Sequence, residues 1–416
     1  MENTTKSPEI LFGERVQRFE DAVALKEPDR IPFAPFMASV LQRLGGSSYR
    51  DLYYDYHRAG KAAVKFYQEH PLCDAHSFAG FTSGRSNELA GSTMIDWPGR
   101  PGTKVSIYSS HQVIEHEYLL PEEYPELLGD YTGFMLRKYI PRAFANLQGF
   151  AGVTLTPSVV LSTSFLAPLN APDMLAIYNT LGEIAKSDAE AAAVGAEYTA
   201  QLTALGMPPL MTGISEAPYD ILGDYFRGTI GIMMDLPEYE DEIAAACDMF
   251  ADQQIAALQY FRFVPMAVKR VFFPLHKGMD GFMNPRQYEK LYWKPLKKIM
   301  MALIDMGVTP LIYTEGKYNT RLECLTDIPK GKVIYHFEDV DMAQAKKIMR
   351  GVACITGNLP AALLEYGKKD QVVDYCKYLI DTCAPGGGYI FDTNACVENA
   401  TLENLDALFQ TFETYK

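Results

Sequence analysis

The sequence predicts an α/β protein built on a closed parallel barrel. Eight short apolar runs rich in β-branched and aromatic residues are bounded by Gly or Pro, the pattern of strands covered on both faces. From residue 209 onward these runs alternate with helical stretches, which reads as successive βα units. Eight strands are what a (β/α)8 TIM barrel requires, and such a barrel takes about 250 residues. A chain of 416 residues has room for that barrel and a long insertion.

Taken in order, helical periodicity runs from Glu14 to Leu25 and stops at the breaker EPDRIP, after which RIPFAPFM offers the first strand with Pro32 and Pro35 at its edges. The other strands are CDAHSF near 75, PLMTGI near 212, VKRVFFPLH near 272, TPLIYTE near 312, KVIYHFE near 335, ACITGN near 356 and GYIFDT near 391. Helices are expected in PRQYEKLYWKPLKKIMMALIDMG, DMAQAKKIMRG and KDQVVDYCKYLIDTCAPGGG, several of them stopping at Gly before the next strand. The surplus length lies at about 81–205. There KVSIYSSHQVIEHEYLL reads as a hairpin, EEYPELLGDYTGFMLRKYIPRAFANL as an amphipathic helical stretch, and the Ala-rich run from Asp173 as a further helix. With no repeat and no Pro/Ser linker, the expectation is one domain over 1–416, its helical and hairpin insertion serving as a lid near the barrel mouth.

Composition narrows the function. A net charge of -14 disfavours nucleic acid and anionic membranes as partners, since both reward a basic face. No apolar leader and no run of about 18 apolar residues is present, so no membrane segment is expected and a cytoplasmic location is. Seven scattered cysteines, odd in number and without a CxxC pair, argue against a disulfide framework or a zinc knuckle.

Three side chains of different kinds, Glu315, His336 and Cys396, each sit just past or within a strand run in the C-terminal hundred residues. In one barrel they would converge at the strand C-terminal ends, where barrel enzymes keep their chemistry. A carboxylate, an imidazole and a thiolate with an open fourth position make a catalytic Zn2+ site. Singly, each has an ordinary explanation as a solvated loop residue, a hydrogen-bonded core histidine and a small buried hydrophobe. Around them, Tyr313, Tyr335 and His276 are candidates to act on the substrate. Asn358, Asp392 and Arg85 are candidates to bind it, Arg85 through a carboxylate.

The segments ERVQRFEDAVALKEPDRIPF, PLHKGMDGFMNPRQYEKLYWKPLKKIMMALIDMGVTPLIYTEG and GNLPAALL resemble the uroporphyrinogen decarboxylase superfamily over nearly the full chain. That resemblance implies a TIM barrel and one of two activities: porphyrinogen decarboxylation, or zinc-dependent methyl transfer with a corrinoid protein. The decarboxylases carry an Arg-containing stretch ending in QAGRY, where this chain has RIPFAPFMASVLQRLGG, so the methyltransferase branch is the closer resemblance. Its usual His-x-Cys-Gly is replaced here by Tyr313-Thr314-Glu315-Gly316, while Cys396 precedes Glu403-Asn404 in the manner of its later Cys. His336 falls where that branch can present an additional acidic ligand.

A Glu-His-Cys set keeps the two negative charges of His-Cys-Cys but trades a soft thiolate for a carboxylate. The metal is left the stronger Lewis acid toward oxygen. The resemblance thus implies methyl transfer from a small-molecule donor, a methoxylated aromatic compound, to cobalt(I) of a partner corrinoid protein. The alternatives are transfer from that protein to a thiol or folate, and a non-catalytic binding protein on the same barrel. Asp74-Ala75-His76 begins a corrinoid-like Asp-x-His motif, but Gly80 is one residue out of place, so the corrinoid is expected on a separate protein.

Overall fold

The computed structural model describes residues 6–37, 39–155 and 163–415. Its strands are β1 (Ile95–Asp96), β2 (Gln112–Val113), β3 (Gly213–Ile214), β4 (Arg270–Leu275), β5 (Thr309–Lys317), β6 (Ile334–Asp339), β7 (Cys354–Thr356) and β8 (Tyr389–Ile390). The last six pair in parallel in chain order. Two extended segments close the ring, as parallel bridges join Phe33 to Phe391 and His76 to Pro209. Asp74 N–H donates to Phe33 O at 2.8 Å and His76 N–H to Pro208 O at 2.9 Å, so the segments around 33 and 75 are neighbours in the same wall. Six of the eight expected runs form strands of one parallel sheet, the runs near 33 and 75 are extended segments joined to it by single bridges, and the fold is the TIM barrel.

Side chains alternate across the wall with period two. Phe272, Leu311, Ile334 and Ile390 point inward and pack on Phe19 of helix Pro8–Val23, which closes the base of the barrel. Val271, Phe273, Ile312, Tyr335, Phe337 and Phe391 point outward into the larger core beneath the helices. Ser7 caps the first helix, and Asp341 and Thr401 cap Met342–Met349 and Leu402–Thr414. Gly307, at φ 72°, turns the chain from helix Lys294–Asp305 into β5, a left-handed conformation that costs glycine least.

The insertion holds the expected helical stretches, among them the 33-residue helix Pro172–Ala204. Its hairpin differs from the expectation. The run from Lys104 does not fold on itself; instead β2 pairs antiparallel with β1, Ile95 opposite Val113. The intervening WPGRPG, with Gly99 and Gly102 both at positive φ, supplies the turn that alternation alone did not reveal. Just beyond β2 the insertion reaches the barrel mouth, where Glu115 Oε1 stands 3.8 Å from Lys277 Nζ and Glu117 Oε2 stands 3.4 Å from Arg227 Nη1.

Candidate active site

β4 and β5 run side by side with Leu275 opposite Thr314. The next residues, His276 just past β4 and Glu315 on β5, therefore emerge at the C-terminal mouth of the barrel. His276 Nε2 lies 3.8 Å from Glu315 Oε1, and its Nδ1 is hydrogen-bonded to Asp224 Oδ2 at 2.6 Å. Asp224 belongs to the π-helical segment Leu222–Arg227 that follows β3, and its other oxygen contacts Lys277 Nζ. Insertions of this kind in helices recur at functional sites.

The loop carrying His276 is held from below. Asp220, fully buried, accepts the backbone N–H of His276 and of Lys277, each at 2.9 Å, and the hydroxyl of Tyr292 at 2.5 Å. Burial alone would push the His276 imidazole down, but its hydrogen bond to Asp224 and the charges of Asp220, Asp224 and Glu315 raise it to about 9. Burial raises the Glu315 carboxyl above its usual range, opposed by His276. Glu216, bonded to Tyr225, is likewise raised by burial and feels the same imidazolium. The mouth thus presents a protonated histidine, locked by one carboxylate and facing a second.

The three expected zinc ligands share this end of the barrel but not one position. His336 is the register partner of Tyr313, so it lies in the inward layer below Glu315. Its Nε2 is bonded to Thr393 O at 2.7 Å, and its ring stacks on Tyr313 at 3.6 Å. Glu315 turns toward His276, and Cys396 Sγ stands 3.5 Å from Ser39 Oγ. Among the described residues no three His, Cys, Asp or Glu side chains are gathered as a metal ion needs. His336 Nδ1 has no hydrogen-bond partner, but Glu315 and Cys396 would both have to swing from their present neighbours to reach one ion beside it. The donor set as folded does not fit the ion.

Of the remaining candidates, His276 is in the site and Tyr313 borders it, fully inward, its hydroxyl 3.4 Å from Asn394 O. Tyr335 is corrected by the strand period: one residue before inward His336, it points out into the helix layer and donates to Leu325 O at 2.9 Å. Asn358 spends its amide on Val340 O, Glu338 O and the Tyr375 hydroxyl. Asp392 accepts from the N–H groups of Phe36 and Thr393, with burial pushing its carboxyl up to about 8. Its Oδ2 is 3.6 Å from His336 Nε2, but burial holds His336 down to about 3, so the contact joins two neutral groups. Arg85 is exposed on helix Gly84–Ala90, where its charge bears on Glu183 of helix Pro172–Ala204.

His336, Tyr313 and Asp392 line an enclosed, mainly apolar cavity along the barrel axis, which none of His276, Asp224 and Glu315 lines. The His276–Asp224–Glu315 cluster sits at the rim above it. Asp220, Asp224 and Lys277 went unread in the sequence, although Asp220 and Asp224 are one helical turn apart just after a barrel strand, a position that marks them for the mouth.

Fold and site together define a TIM barrel with an acid–base cluster at its C-terminal mouth. The family model described as uroporphyrinogen decarboxylase (URO-D) matches residues 176–415, more than half of the chain, and the protein belongs to that family. A solved structure described as a methyltransferase from Methanosarcina mazei superposes with a TM-score of 0.59 over 96% of this chain and 98% of that one. At 13% identity that likeness speaks for the fold. No curated protein matches the chain in sequence.

Proposed function

We propose that the protein is a methyltransferase taking a methyl group from a methoxylated aromatic compound and delivering it to a corrinoid carried by a partner protein. Family membership, the departure from the QAGRY pattern of the decarboxylases and the likeness to a methyltransferase barrel support the reaction class. The His276–Asp224 pair, 2.6 Å apart at the mouth, supports an ether donor.

An aryl ether yields its methyl carbon only if the departing oxygen is stabilised. The C–O bond breaks with its electron pair on oxygen, and His276 Nε2–H can give that oxygen its proton while Asp224 holds the imidazolium in place. Glu315 can then return a proton to His276 from solvent. The partner's corrinoid, when bound, supplies the nucleophile that accepts the methyl carbon. No metal step is assigned.

The test is release of the free phenol from a panel of methoxyphenols with reduced cobalamin or a corrinoid protein. Phenol release by the wild type, reduced about 100-fold or more in His276→Gln, is expected, as for loss of a general acid. No phenol from any donor, with thiol-dependent demethylation instead, would overturn the donor-side reading.

A further inference from the structure

The opposite end of the barrel carries a second polar pocket. It is a cavity of about 160 Å³ bounded by Leu25, Lys346, Arg350 and the glycines 386–388, at the N-terminal ends of β7 and β8. Lys346 and Arg350 are one turn apart at the end of helix Met342–Met349 and both face it. Lys346 Nζ donates to Gly387 O, and burial lowers its ammonium pKa, with Arg350 pushing the same way. Among the described residues no carboxylate forms an ion pair with either cation. Glu27 acts on Lys346 only through space, its Oε1 accepting Gly386 N–H at 2.9 Å. In a chain of net charge -14, two adjacent cations with one carboxylate near them and none in direct contact make a locally positive site.

The third wall is bare backbone. Gly386, Gly387 and Gly388 have φ of 79°, 71° and 68°. A Cβ on Gly387 would come within 2.3 Å of Lys26 O, and one on Gly386 would face Arg350 Nη2 at 3.6 Å. The loop brings main chain, free of side chains, up to the two cations; its Gly386 N–H is taken by Glu27 and its Gly387 N–H by Ala384 O, so it supplies room for a compact oxyanion while the two side chains supply the donors.

We propose that this pocket binds phosphate, free or as the phosphate group of a small molecule. Lys346 supplies a point charge and Arg350 a two-pronged guanidinium. Occupancy ties the turn at Leu25 to helix Met342–Met349 and the glycine loop, so bound phosphate raises the stability of the folded chain.

Thermal unfolding and calorimetric titration of the full-length protein with inorganic phosphate test this, beside sodium chloride at matched ionic strength and glycerol phosphate. Phosphate should raise the unfolding temperature where chloride does not. In Arg350→Gln, a substitution at an exposed side chain, affinity should fall at least about tenfold, as on losing one charge-assisted pair, with Arg350→Lys partly restoring it. Tighter binding of glycerol phosphate assigns the site to a phosphate ester; equal binding assigns it to the free ion. No phosphate-specific rise, or an undiminished one in Arg350→Gln, overturns the proposal.

Discussion

His276 is drawn in two directions, and its hydrogen bond fixes which wins. Desolvation favours the neutral ring, yet Asp224 at 2.6 Å and the neighbouring carboxylates keep it protonated up to about 9. If the proton is used in turnover, phenol release should be level through neutral pH and fall as pH rises through about 9. Asp224→Asn should move that fall toward the ordinary histidine value of 6.5. The same pair bears on stability. The folded pKa exceeds the unfolded one, so its contribution is fully present below 6.5 and lost as pH rises through about 9. A pH profile unmoved by Asp224→Asn would detach His276 from the chemistry.

The zinc expectation is tested at this scale too. With His336 bonded to Thr393 and Glu315 turned to His276, metal analysis should find no stoichiometric zinc dependent on Cys396. One zinc per chain, lost in Cys396→Ala, would restore the three-ligand site. Residue type and strand position were legible in the sequence, which is why Glu315, His336 and His276 all stand near one end of the barrel. Layer and partner were not, because they depend on register between strands that the sequence does not print.

Among elements, the strands were legible because burial on both faces leaves continuous apolar runs. The helices were legible because their capping residues and glycine stops lie at their ends. What the pattern concealed were features set by tertiary contact: the β1–β2 pairing across WPGRPG and the π-helical segment that aims Asp224.

The Asp-x-His run illustrates the difference. Asp74 lies fully buried against Arg18 Nη1 at 2.6 Å, Arg30 Nη1 at 2.6 Å and the Phe33 N–H at 2.8 Å, joining the first helix to the first two barrel segments. Removing its carboxylate takes one partner from Arg18, which keeps its two-pronged pair with Asp29, and one from half-exposed Arg30, and leaves the buried Phe33 N–H without its acceptor, so Asp74→Ala should cost about 1–3 kcal/mol in denaturant unfolding. Because this tie belongs to the barrel wall and not to the mouth, kcat per folded molecule should stay near the wild-type value. A variant as stable as the wild type would show that the network is dispensable.

At the scale of the molecule, the ring closes only through segments outside the region matched by the family model. That region begins at residue 176, whereas the wall needs the segments around Phe33 and His76, one bridging to Phe391 and the other to Pro209. Without them β3 and β8 become open edges with unpaired N–H and C=O groups, a template for aggregation. Phe19, which closes the base over Leu311, Ile334 and Ile390, is lost as well. A fragment of residues 176–416 retains six strands and all of Asp224, His276 and Glu315, yet it should show no cooperative thermal transition and should aggregate. The full chain should unfold in a single transition, because the N-terminal segments and the C-terminal strands share one wall. Supplying residues 1–175 as a separate chain during refolding should recover soluble, cooperative material, since closure requires the segments and not their covalent link. A cooperative, monomeric fragment 176–416 on its own would mean that the barrel does not depend on closure through Phe33 and His76.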